Sequence, residues 1–163
     1  MDPDDEPTLD FIDEPAPAPP PFDLRIHHCG ISVPDLERSI AWYRDMLGFA
    51  VEYRTAIPQV PFRGAILRRG TTRVELFERP GAAPLPPERR DPDTDLATHG
   101  TKHMAFQVSD VRAAFAFLTE RGVEIAMPIF ENEAMAGGYI RDNSGILIEL
   151  VELRNTPPAA RGA

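Results

Sequence analysis

Two histidines and two glutamates occupy matching positions in the two halves of the chain. His28 precedes Glu75 by 47 residues, and His103 precedes Glu149 by 46 residues. Each glutamate lies inside a short apolar run typical of a β-strand, where an unpaired carboxylate is costly to bury. The four side chains offer two nitrogen and two carboxylate donors, a set that suits one divalent ion (Ni, Co, Zn, Mn or Fe) without selecting among them. We therefore expect a metal ion with two ligands from each half.

The histidines open two copies of one sequence pattern. HCGISVPD (28–35) and HMAFQVSD (103–110) both place an aspartate seven residues after the histidine. A helical spacing of apolar residues follows each aspartate, and Gly48 or Gly122 marks where each helix ends. Three short apolar runs then complete each copy. The pattern predicts β-α-β-β-β twice.

The fold class predicted by this repeat is α+β, with two modules in tandem. The modules span residues 25–79 and 101–153. Residues 80–100 join them and contain five prolines and two glycines, which is typical of a linker or lid without its own helix or strand. Glu78 and Glu152 fall at the ends of strands, where we expect solvent to reach them.

Strand alternation assigns different faces to the adjacent histidines. Successive side chains of a strand point to opposite faces, so His28 shares one face with Gly30 and Ser32. The other face carries Ile31 and Val33 and must pack beneath the helix. We expect His28 and His103 to face the site, and His27 to be a bystander near the packed edge of the strand.

The composition limits the function classes. The chain of 163 residues has a single cysteine, Cys29, which excludes an internal disulfide and a zinc site built from cysteines. No apolar run is long enough for a transmembrane helix, and the first residues lack the pattern of a signal peptide. We expect a cytoplasmic protein that does not bind membranes.

The acidity of the chain is concentrated at its N-terminus. Residues 1–24 contain eight Asp or Glu, no Lys or Arg, and seven prolines, so they carry −8 of the net charge of −9. This composition predicts a disordered N-terminal tail. Residues 154–163 are expected to form a short C-terminal tail. The remaining charge gives no indication of nucleic-acid binding.

The sequence also resembles the vicinal oxygen chelate superfamily, which includes glyoxalase I, methylmalonyl-CoA epimerase, extradiol dioxygenases and bleomycin-resistance proteins. The resemblance covers residues 25–153 and is carried by HCGISVPDLERSIAWYRDMLGF (28–49), VELFE (74–78), HMAFQVSD (103–110) and RDNSGILIELVE (141–152). It implies two βαβββ modules that form an incomplete barrel around a metal ion. It assigns ligand roles to His28, Glu75, His103 and Glu149.

The ligand set that the resemblance implies is similar to those of glyoxalase I and the epimerases. The metal would polarise a substrate carbonyl, and Glu149 or Glu75 would be the base that removes a neighbouring proton. The substrate is expected to be a small carbonyl compound, because residues 131–139 are acidic where glyoxalase I carries a basic, glycine-containing loop. Further candidates for substrate contact are Tyr139 and Arg141 on one strand face, and Glu131 and Glu133 as acid or base groups.

Two alternative functions remain open from the sequence. An extradiol-type dioxygenase needs two histidines and one carboxylate, and a fourth ligand at Glu75 disfavours it. A non-catalytic drug-binding protein would need no metal quartet. We also expect a homodimer, since modules of this superfamily pair within or between chains.

Overall fold

The chain forms two modules of one design, each a four-stranded sheet crossed by one long helix. The structure, a computed structural model, describes residues 20–22 and 24–154. The elements in chain order are β1 (Cys29–Ser32), α1 (Leu36–Leu47), β2 (Ala50–Ala56), β3 (Arg63–Arg69), β4 (Thr72–Glu78), α2 (Pro92–Asp95), β5 (Met104–Gln107), α3 (Val111–Glu120), β6 (Ile125–Glu131), β7 (Met135–Arg141) and β8 (Leu147–Leu153). The predicted α+β fold with two βαβββ modules is confirmed.

The N-terminal segment predicted to be disordered and the C-terminal tail lie largely outside the described residues. Residues 1–19, residue 23 and residues 155–163 are not among them. Within the described part of the N-terminal segment, Phe22 and Leu24 are exposed. Ile26, two residues after Leu24, is 96% exposed.

Each sheet places its first strand beside its last. The strand orders are β1-β4-β3-β2 and β5-β8-β7-β6, with β1 parallel to β4 and β5 parallel to β8. The registers are equivalent, since Gly30 lies opposite Glu75 and Ala105 lies opposite Glu149. A parallel pair requires a crossover connection, and α1 and α3 begin that connection in each module.

The two helices begin and end where the sequence predicts. Asp35 accepts a hydrogen bond from the Arg38 N–H, and Asp110 accepts one from the Ala113 N–H. Gly48 ends α1 in the left-handed region, with φ of 69°, and its N–H donates to a carbonyl of the last turn. The helices cover the sheet face that carries Ile31, Val33 and Met104, which are all buried, so the predicted strand alternation holds.

Glu78 and Glu152 are not simply solvated ends of strands, as the sequence suggested. The Leu36 N–H at the start of α1 donates to Glu78 (2.7 Å), and the Val111 N–H at the start of α3 donates to Glu152 (2.9 Å). A carboxylate at this position satisfies a free helix N–H and interacts favourably with the helix dipole. The last strand of each module therefore stabilises the start of that module's helix.

The linker forms more structure than its proline content suggests. Residues 87–90 form a 3₁₀ turn, and α2 follows with Asp91 as its N-cap. Asp95, at the end of α2, is 1% exposed and pairs with Arg89 (2.8 Å) and Lys102 (3.3 Å). Burial alone raises the pKa of Asp95, but hydrogen bonds from Arg89 and Lys102 outweigh it and lower the pKa. The linker is thus folded around one buried carboxylate.

A polar contact between α1 and the β7–β8 turn joins the two modules. The Tyr43 hydroxyl donates to Asp142 (3.1 Å), and both side chains are buried. Oδ1 of Asp142 also accepts from the Ser144 and Ile146 N–H groups. Burial raises the pKa of Asp142, while these hydrogen bonds partly oppose the rise. The ionised form of the buried Asp142 carboxyl group is therefore stabilised by these hydrogen-bond donors.

In the described part of the chain, no helix is long and apolar enough to cross a membrane.

We predict that Tyr43→Phe destabilises the protein in a pH-dependent way. The loss of one donor leaves a buried oxygen of Asp142 unpaired, at a cost of about 1–3 kcal/mol at neutral pH. In the wild type the Tyr43 hydrogen bond stabilises the ionised form of Asp142. Its loss therefore raises the pKa of Asp142 further in the variant. The loss of stability should therefore shrink as the pH falls through the folded-state pKa of Asp142.

Urea unfolding of the wild type and of Tyr43→Phe, at neutral and at acidic pH, measures the loss of stability at each pH. Tyr53→Phe is the matched control, because Tyr53 is 46% exposed. A penalty for Tyr43→Phe that is equal at both pH values would contradict the role given to Asp142.

Candidate functional site

The four predicted ligands form two His–Glu pairs, one in each module. His28 Nε2 lies 2.9 Å from Glu75 Oε2, and His103 Nε2 lies 3.2 Å from Glu149 Oε2. The parallel registers explain the pairing, because each histidine stands two residues before the strand position opposite its glutamate. Each contact thus joins the histidine and the glutamate that the sequence matched in that module, and their role as metal ligands stays a prediction.

The side chains of the two pairs have similar exposure. His28 is 36% and His103 31% exposed, whereas Glu75 is 17% and Glu149 15% exposed. The two glutamates are thus largely shielded from solvent, and each is in polar contact with the histidine of its own module. This arrangement lowers the cost of placing a carboxylate in the middle of a strand.

The pairs do not come together as a quartet within the single chain. Among residues 20–22 and 24–154, no three His, Cys, Asp or Glu side chains are close enough to hold one metal ion. The expectation that one chain gathers all four ligands is therefore corrected to two half-sites. The physical reason is that strand pairing fixes positions only within a module, and separate sheets carry the two pairs.

The donors of each half-site nevertheless fit a divalent ion. Adjacent ligands with bonds of about 2.1 Å in an octahedral site lie about 3 Å apart, close to both Nε2–Oε2 separations. Imidazole nitrogen and carboxylate oxygen are also suitable donors for the ions predicted from the sequence.

Tyr139 joins the half-site of the second module. It lies opposite Glu149 on β7, and its ring stands edge-on to the ring of His103, with centroids 5.0 Å apart. Burial, the charge of Glu149 and a hydrogen bond to Glu149 raise the pKa of the Tyr139 hydroxyl. The equivalent position of the first module is Ile66, opposite Glu75. Only the second module therefore adds a hydroxyl to its His–Glu pair.

The other predicted substrate residues make different contacts. Arg141 donates to Glu124 (2.8 Å) and to the carbonyl oxygen of Arg90, which ties β7 to the linker. Glu131 pairs with Arg154 and Arg112, and the hydrogen bonds from these arginines lower its pKa.

Glu133, the fourth of these residues, lies in the turn between β6 and β7. Substrate-contact roles for Arg141, Glu131 and Glu133 stay predictions.

His27 is not the bystander that strand alternation suggested. Its Nδ1 lies 2.8 Å from Nδ1 of His28, and the two rings meet edge to face with centroids 5.1 Å apart. Alternation assigns side chains to faces of a strand, but both histidines precede the first residue of β1, where that constraint ends. Their adjacency in the sequence was the only signal for this contact.

Two grooves lie near the junction of the modules. A groove of about 1300 Å³ runs between the end of α1, β5 and α3, and His27 lines it. A smaller cavity of about 240 Å³ has His103, Lys102 and Arg89 in its lining, together with Ser32, Thr101 and apolar residues. Of the two, this cavity reaches a His–Glu pair, through His103.

The comparisons with known proteins agree with the fold. A family model described as the Glyoxalase/Bleomycin resistance protein/Dioxygenase superfamily matches residues 25–150. The chain belongs to this superfamily. It is 32% identical over 134 residues to the uncharacterised protein YaeR of Escherichia coli, covering 78% of this chain and 95% of the relative.

Two proteins of named activity are also similar. Mitochondrial methylmalonyl-CoA epimerase of Bos taurus is 26% identical over 141 residues, covering 77% of this chain and 73% of the epimerase. The trypanothione-dependent glyoxalase I of Leishmania major superposes with a TM-score of 0.62 and 27% identity, covering 80% of this chain and 87% of that structure. The relatives of this chain thus include an epimerase and a glyoxalase I.

We predict that Glu149→Gln lowers the pKa of the Tyr139 hydroxyl. The substitution removes the negative charge and the carboxylate hydrogen bond and leaves only burial to raise the pKa. Titration of ¹³C-labelled tyrosine by NMR measures the shift. Glu75→Gln, the equivalent change in the first module, should leave Tyr139 unaltered. An unchanged pKa in Glu149→Gln would show that the hydroxyl does not sense this carboxylate.

Proposed function

We propose that the protein is a divalent-metal-dependent enzyme of the glyoxalase or epimerase type. It would remove a proton from the carbon next to a substrate carbonyl, as an isomerase, epimerase or lyase. The observation that carries this proposal is the pair of equivalent His–Glu contacts, at 2.9 and 3.2 Å, on matching strands of the two modules. Membership of a superfamily with epimerase and glyoxalase I relatives supports it.

The residues that would hold the metal are His28 and Glu75 from one module and His103 and Glu149 from the other. The bound ion would supply Lewis-acid polarisation of the substrate carbonyl. This chemistry suits a small carbonyl compound, for which the cavity of about 240 Å³ beside His103 has room.

Glu149 is the stronger candidate for the base. Its carboxylate can accept the proton at Oε1, which leaves Oε2 as the metal donor, and return it to the same or the neighbouring carbon, so that no other reactant is consumed. Tyr139 lies opposite Glu149 on the neighbouring strand, and its hydroxyl would orient the carboxylate during the transfer. Glu75 faces the aliphatic side chain of Ile66 and would serve mainly as a ligand.

We propose that two copies of the chain complete the site. A first-module pair of one copy would meet the second-module pair of the other, since the described residues of one chain hold the pairs apart. Exposed apolar side chains at Phe22, Leu24 and Ile26, which are 64%, 84% and 96% exposed, offer surface for such a homodimer.

Two other functions make distinct demands on the same residues. A dioxygenase would consume oxygen and would use Glu75 only to support His28. A drug-binding protein would hold no metal. The equivalence of the His28–Glu75 and His103–Glu149 contacts favours Glu75 as a ligand like Glu149, and therefore favours the proton-transfer reaction.

Loss of one histidine should remove most of the metal affinity, and mixed variants should regain part of it. His28→Ala and His103→Ala each break one half-site, so each protein alone should bind Ni²⁺ weakly. If two copies form the site, a mixed dimer contains one site in which both half-sites are intact. Calorimetric titration with Ni²⁺ before and after mixing measures this recovery.

His99→Ala is the control for this experiment, because His99 lies exposed in the linker. Loss of affinity without recovery on mixing would place the site within one chain. Full affinity in both single variants would refute the proposed ligands.

Proton transfer should appear as exchange of a substrate proton with deuterated solvent. Methylmalonyl-CoA and a panel of small 2-hydroxy and 2-oxo carbonyl compounds, incubated with Ni²⁺, Co²⁺, Zn²⁺ or Mn²⁺, provide the probes. The rate should be equal with and without oxygen. Glu149→Gln should slow exchange by about 10²–10⁴-fold, the usual contribution of a general base, while Glu120→Gln should not. Stoichiometric oxygen consumption would instead establish the dioxygenase reaction.

A further inference from the structure

The His27 ring extends the first half-site by one residue. His27 Nδ1 lies 2.8 Å from His28 Nδ1, and His28 Nε2 lies 2.9 Å from Glu75, so the three side chains form a continuous chain. We propose that His27 is a positioning residue that hydrogen-bonds to Nδ1 of His28 and so fixes the orientation of the His28 ring. The inference rests on the proposed function only in treating His28 as a metal ligand.

The charge of Glu75 determines the proton positions in the metal-free chain. An ionised carboxylate can only accept hydrogen bonds, so a neutral His28 must carry its proton on Nε2 and donate to Glu75. His28 Nδ1 is then an acceptor. The neighbouring His27 must therefore carry its proton on Nδ1 and donate it to His28.

Metal coordination through Nε2 requires the opposite arrangement. His28 then needs its lone pair on Nε2 and its proton on Nδ1. His27 can accept from that Nδ1–H if its own proton moves to Nε2. A residue that holds the second ring nitrogen in this way fixes the ring and raises its basicity as a ligand. A histidine suits both states, because each of its nitrogens can donate or accept.

The second module holds its histidine differently. Lys102 stands immediately before His103, where His27 stands before His28, but its ammonium contacts Asp95 and the carbonyl oxygens of Asp95 and Thr98. Tyr139 packs against the His103 ring instead. His27 therefore acts on one half-site alone, which allows an internal control.

Two substitutions separate the hydrogen bond from the packing of the ring. His27→Phe keeps an aromatic edge beside His28 but removes the nitrogen, whereas His27→Asn places a polar group near the position of Nδ1. His99→Phe, in the exposed part of the linker, is the matched control. Thermal unfolding of each variant verifies that the fold is retained.

The first measurement uses metal-free protein and does not depend on the proposed function. Long-range ¹H–¹⁵N spectra of the histidine rings, recorded at about pH 8 where histidine is ordinarily neutral, report which nitrogen carries the proton. In His27→Phe the His28 Nδ1 resonance should shift, while His103 should not change. His27→Asn should keep the His28 resonance close to that of the wild type. An unchanged His28 Nδ1 in His27→Phe would overturn the proposal.

The second measurement is the affinity for Ni²⁺. His27→Phe should weaken binding by about tenfold, the lower end for a residue that supports a ligand, because water can compete at this exposed ring. His27→Asn and His99→Phe should bind close to the wild-type affinity. Wild-type affinity in His27→Phe, or equal losses in His27→Phe and His27→Asn, would refute the positioning role. Failure of the wild type to bind Ni²⁺ would refute the proposed function, and the metal-free spectra would still decide the role of His27.

Discussion

In each module the first strand pairs in parallel with the last, and this pairing sets Gly30 opposite Glu75 and Ala105 opposite Glu149. The histidine two residues before each of these small residues then reaches the glutamate across the strands. A larger side chain at Gly30 would meet the ring of Phe77, with a Cβ only 3.0 Å from it. The His–Glu contacts therefore depend on the register of one parallel pair, and so does any chemistry built on them.

The same last strand supports the helix that the parallel pairing requires. Glu75 and Glu78 are three residues apart on β4, and their side chains point to opposite faces. One faces the site with His28, and the other accepts the first N–H of α1. Glu149 and Glu152 divide their roles in the same way on β8. The strand thus couples the position of the candidate site to the position of the helix behind the sheet.

The sequence predicted what depends on local periodicity and on repetition. Asp35 and Gly48 mark the limits of α1, and comparison of the two copies singled out a histidine and a glutamate that are in contact in each module. Repetition could not show how the two sheets are placed relative to one another. For that reason the separation of the half-sites was not foreseen.

Contacts between segments that are not copies of each other could not be predicted from the sequence either. The Tyr43–Asp142 bond joins a helix of one module to a turn of the other, and the two residues are 99 positions apart. Asp95 lies in a proline-rich stretch with the composition of a loop, yet it is buried between two cations. The sequence shows only the neighbours of such a residue along the chain, whereas partners distant in the sequence decide whether the residue is buried.

The two modules have kept the same donors while their surroundings have diverged. Glu75 lies opposite Ile66, whereas Glu149 lies opposite Tyr139. His28 contacts the ring of His27, whereas the residue before His103 is committed to the buried carboxylate of the linker. A carboxylate that must exchange a proton benefits from a polar neighbour that holds it in place, and one that only binds a cation needs no such partner. Under the proposed function, this asymmetry favours ligation as the role of the first module and proton transfer as the role of the second.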